Sequence, residues 1–428
     1  MELKILNVKV LIVNTNDVGG AANACLRLHD GLLKSGVDSK VILMQKNKNI
    51  TNTYLVHPKN KTIFRKVLKL IRKLFVELKI LNNKITKEDQ FISNRSRKLE
   101  LFSYPFSDYD ITENEWYKDA DVINLHWVAD FLDYKSFFEK NTKPVIWTLH
   151  DMNPFTGGEH YLETIIDVDN YGKPILREKD NLEQQITTNY LNFKTQLFEK
   201  VKNLTIVAPS KWLVNVALKS NVFGDKQVLH IPYGLDKNVY SIRDKMFSRE
   251  VLGIPKDKKV VLFVAESLNN NNRKGFIFLK MAFEELADNN VVLCAVGNKK
   301  TAIESKINLI ELGSINDEKM MSMAYSAADV FVIPSLMDNL PNTVLESLMC
   351  GTPVIGFPIG GILDMVQNEI NGYITNDISS ESLKETLLKF LSYDVTFNAT
   401  EIRTKAIEKY DLLIQANQYI NLYKSVLN

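Results

Sequence analysis

What constrains this chain most is its rhythm: short, nearly unbroken apolar runs alternate with helical patterns, and the alternation occurs twice. In the first half "VKVLIVNT" reads as a strand, "AANACLRLHDGLLKSG" as a helix stopped at Gly36, and "KVILMQ" as a strand. "DVINLHW", "KPVIWTLHD" and "LTIVAPS" follow, each an apolar run ending in polar residues. The second half repeats this with "KKVVLFVAES", a helix from Lys274 to Ala287, "NVVLCAVGN", "INLIELGSI", a helix to Ala328, and "DVFVIPS". A strand that is apolar throughout must be covered on both faces, and crossover helices of a parallel sheet do that. Two rounds predict an α/β chain of two doubly wound domains, with the seam near "HIPYGLD". The length, 428 residues, agrees, being too great for one ordinary core.

Composition removes several function classes. The net charge of +2 gives no support for a nucleic-acid binder. Cys25, Cys294 and Cys350 are scattered, without metal or redox spacing, as in a reducing compartment. The start lacks the apolar core and cleavage site of a signal peptide, and no apolar run reaches membrane-spanning length. The expected location is cytoplasmic.

In doubly wound sheets ligands bind beyond the carboxyl ends of the strands, and most polar motifs here stand there. In "MDNLPNTVLESLMCGTPVIGF", Asp338 lies eight residues before Glu346. Asn339 reads as a helix N-cap, Pro341 as a first-turn residue and Gly351 as the stop. The free N–H groups of such a helix start favour an anion. Two carboxylates would repel that anion, so they read better as acceptors for neutral hydroxyls. Phosphate plus hydroxyls describes a nucleotide sugar. The plainer reading has Asp338 capping a loop and Glu346 in solvent.

Other strand ends carry compatible groups. Gly19 and Gly20 allow close approach of a phosphate or sugar, or form a tight turn. The full dinucleotide fingerprint is missing. His150 and Asp151, with His126 and Trp127, offer hydrogen bonds and a stacking face to a sugar, or pack as core residues. Arg273 and Lys274 precede a helix, where the dipole disfavours cations unless an anion joins them. Residues 59–87 hold ten Lys or Arg and one acid, with Ile63, Val67, Ile71, Leu74, Leu78 and Leu81 at helical spacing. This is a basic amphipathic helix, suited to an anionic membrane surface or to packing on its own domain.

Taken together, these blocks resemble the retaining glycosyltransferases of the two-domain GT-B fold that carry an E-x(7)-E motif. The similarity is strongest to the colanic-acid-type branch making bacterial capsular and exopolysaccharides. It runs through "GGAANACLRLHDGLLKSGVDS", "DVINLHWV", "VIWTLHDMNPFTGGEHY", "VAPSKWL", "IPYGLD", "RKGF", "LGSINDEKMMSMAYSAADVFVIPS" and "DNLPNTVLESLMCGTPVIGFPIGGILDMV". The resemblance implies a Rossmann-like acceptor-side domain over 1–232, a nucleotide-sugar domain over 233–405, and a helix over 406–428 returning to the first domain. It implies a UDP- or GDP-sugar donor and a glycan or lipid-linked acceptor. Asp338 would contact the transferred sugar, Glu346 would hold the ribose diol, and His150 would lie beside the sugar. Lys274 and Arg273 would neutralise the diphosphate. Gly19, Gly20 and the helix start Leu340, Pro341, Asn342 and Thr343 would offer backbone groups. Loops around Gly297 and Leu312 would select base and sugar. His126, Trp127 and Asp151 fall on the acceptor side. The chain departs from the pattern in having Asp338 for Glu, Ala265-Glu266 for Gly-Arg, and Asn153 and Glu159 for Trp and Cys. The cysteine-rich insertion is absent, so no metal site is expected.

Overall fold

The computed structural model describes residues 8–58, 86–96, 99–162, 164–267, 272–298, 307–392 and 396–428. The first sheet has seven parallel strands: β1 (Lys9–Asn16), β2 (Asp38–Gln45), β3 (Thr53–Leu55), β4 (Val122–Leu125), β5 (Val145–Thr148), β8 (Leu204–Ala208) and β9 (Gln227–His230). Their order is β3-β2-β1-β4-β5-β8-β9. The second has six: β10 (Lys259–Ser267), β11 (Val291–Asn298), β12 (Leu309–Gly313), β13 (Val330–Ile333), β14 (Val354–Gly356) and β15 (Gly372–Ile374). Their order is β12-β11-β10-β13-β14-β15. Both sheets reverse direction of growth at one place, between β1 and β4 and between β10 and β13. Those are the switch points at which α/β sheets open a crevice.

Apolar continuity explains the central strands. Leu11, Ile12 and Val13 of β1 and all four residues of β13 are buried. The helices used below are α1 (Gly20–Lys34), α2 (Asn181–Phe198), α3 (Phe276–Leu286), α4 (Glu318–Ala327), α5 (Asn342–Met349), α6 (Ala399–Tyr410) and α7 (Leu412–Leu427). The helix expected from Lys274 starts later, at Phe276. Lys274 sits in a short 3-10 turn, and Gly275 breaks the helix with φ of +67°. A Cβ there would lie 1.8 Å from Pro334 O, so glycine lets this turn rest against the end of β13.

The chain passes between domains twice, side by side. Ile231 belongs to the first core, whereas Tyr233 and Leu235 belong to the second. On the return, Leu235 N donates to Tyr410 O and Leu412 N donates to Leu235 O, at 2.8 and 2.9 Å. Helix α7 then packs against the first sheet, placing Tyr419 and Tyr423 among Val10, Ile12, Val122 and Ile146. Its hydroxyls reach buried polar groups: Tyr423 accepts from Asn124 Nδ2 at 2.8 Å, and Tyr419 bonds Thr148 Oγ1 at 2.8 Å. An antiparallel hairpin, β6 (Ile165–Val168) with β7 (Pro174–Leu176), leaves the first domain and lies on the second. Ile165 and Val168 pack on the second core, and Ser380 N donates to Gly172 O at 3.0 Å.

Most of the basic segment 59–87 lies outside the described residues; Thr86 and Lys87 open a short helix to Asn94. No helix among the described residues is long and apolar enough to cross a membrane.

Candidate functional site

The two switch points face each other, and the loops leaving them carry the site. After β1 the chain turns at Gly19, whose φ of +98° suits glycine, and α1 begins at Gly20. After β13 it runs through residues 334–341 into α5. Pro341 itself is the N-cap of α5, with no side-chain cap bond. Asn339 is therefore not the cap that local sequence indicated. It is buried and crosses the cleft, donating through Nδ2 to His150 O at 3.2 Å and accepting from Ser210 Oγ at 2.6 Å. The first residue of α5 also crosses: Asn342 Nδ2 donates to Gly20 O at 2.9 Å. Leu340 is buried in the second core behind this contact, and Thr343 follows Asn342 in the first turn of α5.

Asp338, Lys274 and Arg273 form one cluster. Lys274 Nζ donates to Asp338 Oδ2 at 2.6 Å, and Arg273 Nη1 lies 3.6 Å from the same oxygen. Arg273 also bonds Glu100 Oε1 at 2.5 Å and Met337 O at 2.7 Å, with its guanidinium over the Tyr161 ring at 4.9 Å. Burial acts to raise the Asp338 pKa, but Lys274 and Arg273 outweigh it and hold it below the ordinary carboxylate value. Burial lowers the Lys274 pKa, with Asp338 opposing. Asp338 is thus an ionised acceptor beside two cations.

Glu346, one turn into α5, is buried rather than solvated. Its Oε1 accepts from Arg27 Nη2 at 2.8 Å and its Oε2 from the Tyr325 hydroxyl at 3.0 Å. Arg27 comes from α1 of the first domain, and sequence reasoning missed it. It also bonds Glu318 Oε1 at 2.7 Å, the Tyr240 hydroxyl at 3.0 Å and Asn342 Oδ1 at 3.3 Å. Burial would lower the Arg27 pKa; Glu346, Tyr240 and Glu318 reverse that and keep it charged. The available signal was position: Arg27 follows Gly20 by two helical turns, on the side facing the cleft.

His150 and His126 stand at the ends of β5 and β4 and touch. His126 Nδ1 and His150 Nε2 share a 2.9 Å hydrogen bond, and His150 Nδ1 bonds the Tyr233 hydroxyl at 2.7 Å. Burial pushes His150 down to about 4 and His126 well below its ordinary value, so both are neutral. Both ring nitrogens of His150 are engaged within the protein. Asp151 makes no hydrogen bond to its neighbour His150 among the described residues. It accepts instead from His160 Nδ1 at 2.6 Å, Trp127 Nε1 at 2.7 Å and Asn153 N at 2.9 Å. Trp127 leans on the His160 ring, with centroids 5.4 Å apart and planes tilted by 35°. Asn153 braces this loop through Ser103 O and Gly158 O. Lys194 of α2, fully buried, donates to Asn153 O at 2.5 Å, and burial lowers it to about 7.

The structure therefore brings Gly20, Asn342, Lys274, Arg273, Asp338 and Glu346 to one cleft, with His150 linked to it through Asn339. Gly297 and Leu312 lie on β11 and β12, near the carboxyl ends of those strands of the second sheet. Among the described residues no group of three His, Cys, Asp or Glu is placed to hold a metal. What the cleft offers is a short row of cations and helix-start amides flanked by the side chains of Asp338 and Glu346.

Comparison with known proteins shows what this frame resembles. Residues 244–409 match the family model of the glycosyl transferases group 1. An uncharacterized glycosyltransferase of Methanocaldococcus jannaschii is 26% identical over 206 residues, covering 45% of this chain and 51% of the relative. The Escherichia coli UDP-Gal:alpha-D-GlcNAc-diphosphoundecaprenol alpha-1,3-galactosyltransferase is 24% identical over 226 residues, 49% of this chain and 57% of the relative. The chain thus spans about half the length of these curated relatives. Among solved structures, the sucrose-phosphate synthase of Thermosynechococcus elongatus superposes with a TM-score of 0.68 at 15% identity, over 98% of this chain and 99% of that one. Anabaena HepE, in complex with UDP and glucose, gives 0.64 at 15% identity, over 98% of this chain and 100% of that one. The fold is accordingly GT-B, and within it residues 244–409 of the second domain match the model of the glycosyl transferases group 1.

Proposed function

We propose that the protein is a retaining glycosyltransferase that moves a sugar from a nucleotide-sugar donor, UDP- or GDP-linked, to a glycan or lipid-linked glycan in surface polysaccharide synthesis. The observation that carries this reading is the meeting of the first domain's glycine turn with the α5 start, Asn342 to Gly20 O at 2.9 Å, beside the Lys274–Asp338 pair. A diphosphate lying there meets helix-start N–H groups and two cations. Asp338 would accept from hydroxyls of the transferred sugar, Glu346 from the ribose diol, and His150 would border the sugar. Anabaena HepE holds UDP and glucose, and the E. coli relative's name describes a UDP-sugar donor and a lipid diphosphate acceptor. Both fit this substrate class.

In the reaction the bond from the anomeric carbon to the donor's phosphate oxygen breaks, and a bond to the acceptor hydroxyl oxygen forms on the same face. The leaving diphosphate takes the hydroxyl proton. Lys274 and Arg273 stabilise charge developing on that diphosphate, and Asp338 orients the sugar. The basic segment 59–87 would dock the enzyme on an anionic membrane surface, where a lipid-linked acceptor lies.

A thermal-shift panel of UDP-, GDP-, ADP- and dTDP-sugars tests the donor, because a ligand of the native state raises its stability. One donor should raise Tm, and the protein should hydrolyse it slowly without acceptor. Conversion of the donor to an epimer, or binding without hydrolysis or transfer, would overturn the transferase reading.

A further inference from the structure

We infer that Arg27, supplied by the first domain, is a donor-phosphate ligand: it balances Glu346 and Glu318 so that a diphosphate can approach the start of α5. The inference rests on the nucleotide-sugar reading above and adds a residue and a role to it. Three observations carry it. The first is charge. Glu346 and Glu318 both face this end of the cleft, and each pairs with Arg27, at 2.8 and 2.7 Å. Without Arg27 two carboxylates would stand beside a bound diphosphate, and like charges there oppose binding.

The second is the distribution of cations. Lys274 and Arg273 both serve Asp338, and Arg273 is held further by Glu100 and Met337 O. Strand β10 runs into Ala265-Glu266 and brings no cation to its end. Positive charge for the ribose end of the site therefore comes across the cleft, from α1.

The third is reach. Asn342 and Glu346 stand four residues apart on one face of α5, and Arg27 touches both. Its guanidinium lies along the first turn of α5, where the unpaired backbone N–H groups of a helix start would favour a phosphate. Nη1 carries two N–H groups, and among the described residues its one acceptor is Asn342 Oδ1, at 3.3 Å. The other N–H is available to a phosphate oxygen without breaking the Glu346 pair.

Isothermal titration of the full chain with UDP, GDP, uridine and guanosine tests this. Arg27→Gln should weaken the preferred diphosphate about tenfold or more, as loss of a charge-assisted hydrogen bond does. It should leave the matching nucleoside unchanged or tighter, because Glu346 becomes free for the ribose. Arg27→Lys, which keeps the charge without the fork, should retain part of the preference for diphosphate over nucleoside. If a folded Arg27→Gln protein binds the diphosphate like wild type, or loses diphosphate and nucleoside by the same factor, Arg27 only braces the domains. If Arg27→Gln does not fold, equal losses for both ligands in Arg27→Lys overturn the assignment just as well. Wild-type protein that binds neither diphosphate would sink the donor reading itself, an outcome distinct from failure of the Arg27 variants.

Discussion

Acid should destabilise the first domain through buried His150 as pH falls below the ordinary imidazole value. His150 is buried, bonded to His126 at Nε2 and to Tyr233 at Nδ1, and burial lowers its pKa to about 4. In the unfolded chain an imidazole titrates near 6.5. Between those values the unfolded state binds more protons, so the His150 contribution falls as pH drops from about 6.5 to about 4 and is level above 6.5, while buried Lys194, lowered to about 7, makes stability fall as pH drops from 10.5 to about 7. A gap of about 2.5 units corresponds to about 3 kcal/mol once the whole window is crossed, and to about 2 kcal/mol by pH 5. His126, lowered for the same reason, adds loss of the same sign. The depressed carboxylates Asp338 and Asp151 act lower down, because their contribution is lost only as pH falls below the ordinary value of 3.8. The assay is urea unfolding at a series of pH values, followed by tryptophan fluorescence. Trp116, Trp127, Trp147 and Trp212 are all in the first domain, so the signal reports that domain. His150→Asn should start less stable at pH 7.5 yet show a flatter profile between pH 6.5 and 4. Parallel wild-type and variant profiles across that window would refute the reasoning.

Three further outcomes are expected. Glu346→Ala and Lys274→Ala should each cut transfer by roughly a hundredfold or more, with circular dichroism unchanged, since they act on donor contacts; near-normal turnover in a folded variant would remove that residue from the site. Transfer should survive EDTA, because Lys274 and Arg273 already supply positive charge at the leaving group; activity lost in chelator and restored by Mg²⁺ or Mn²⁺ would contradict this. Gly275→Ala should cost about 1–3 kcal/mol of stability, because the φ of +67° is strained for alanine and the new Cβ falls 1.8 Å from Pro334 O. It should also displace Lys274 and weaken donor binding, and an unchanged melting curve with normal donor affinity would show the turn to be permissive.

The parts of this molecule that announce themselves locally were legible. Strands such as β1 and β13 are buried on both faces, so their side chains are apolar without a break. Asp338, Glu346, Lys274 and Gly20 stand at strand ends or helix starts, where the chain's own rhythm points. Short strands such as β9, "QVLH", and β3, "TYL", carry too little apolar pattern to be read. Asn339 was misassigned because a cap signal is local, whereas its partners Ser210 and His150 come from the other domain. Arg27 was invisible for the same reason. Within α1 it is an ordinary arginine on an amphipathic helix, and only Glu346, 319 residues away in sequence, gives it a role. Asp151 illustrates a third limit. Its neighbour His150 was the obvious partner, but adjacent residues at a strand end point apart, and the loop carrying His160 returns to claim the carboxylate.

The path of α7 fixes the order in which the molecule can be made. Tyr423 bonds Asn124 across 299 residues of sequence, and Tyr419 bonds Thr148 across 271. A ribosome must therefore complete the entire second domain before the first can close its core. At about 5–20 residues per second that interval is on the order of 10 to 40 s. Throughout it the face formed by Val10, Ile12, Val122, Ile146 and Val207 has Cys25, Leu28 and Leu32 of α1 but lacks Ala416, Tyr419, Leu422 and Tyr423 of α7. The nascent first domain is then a sticky sheet waiting for a helix, the kind of client on which holding chaperones act, and the lifetime of that exposed state is set by translation speed.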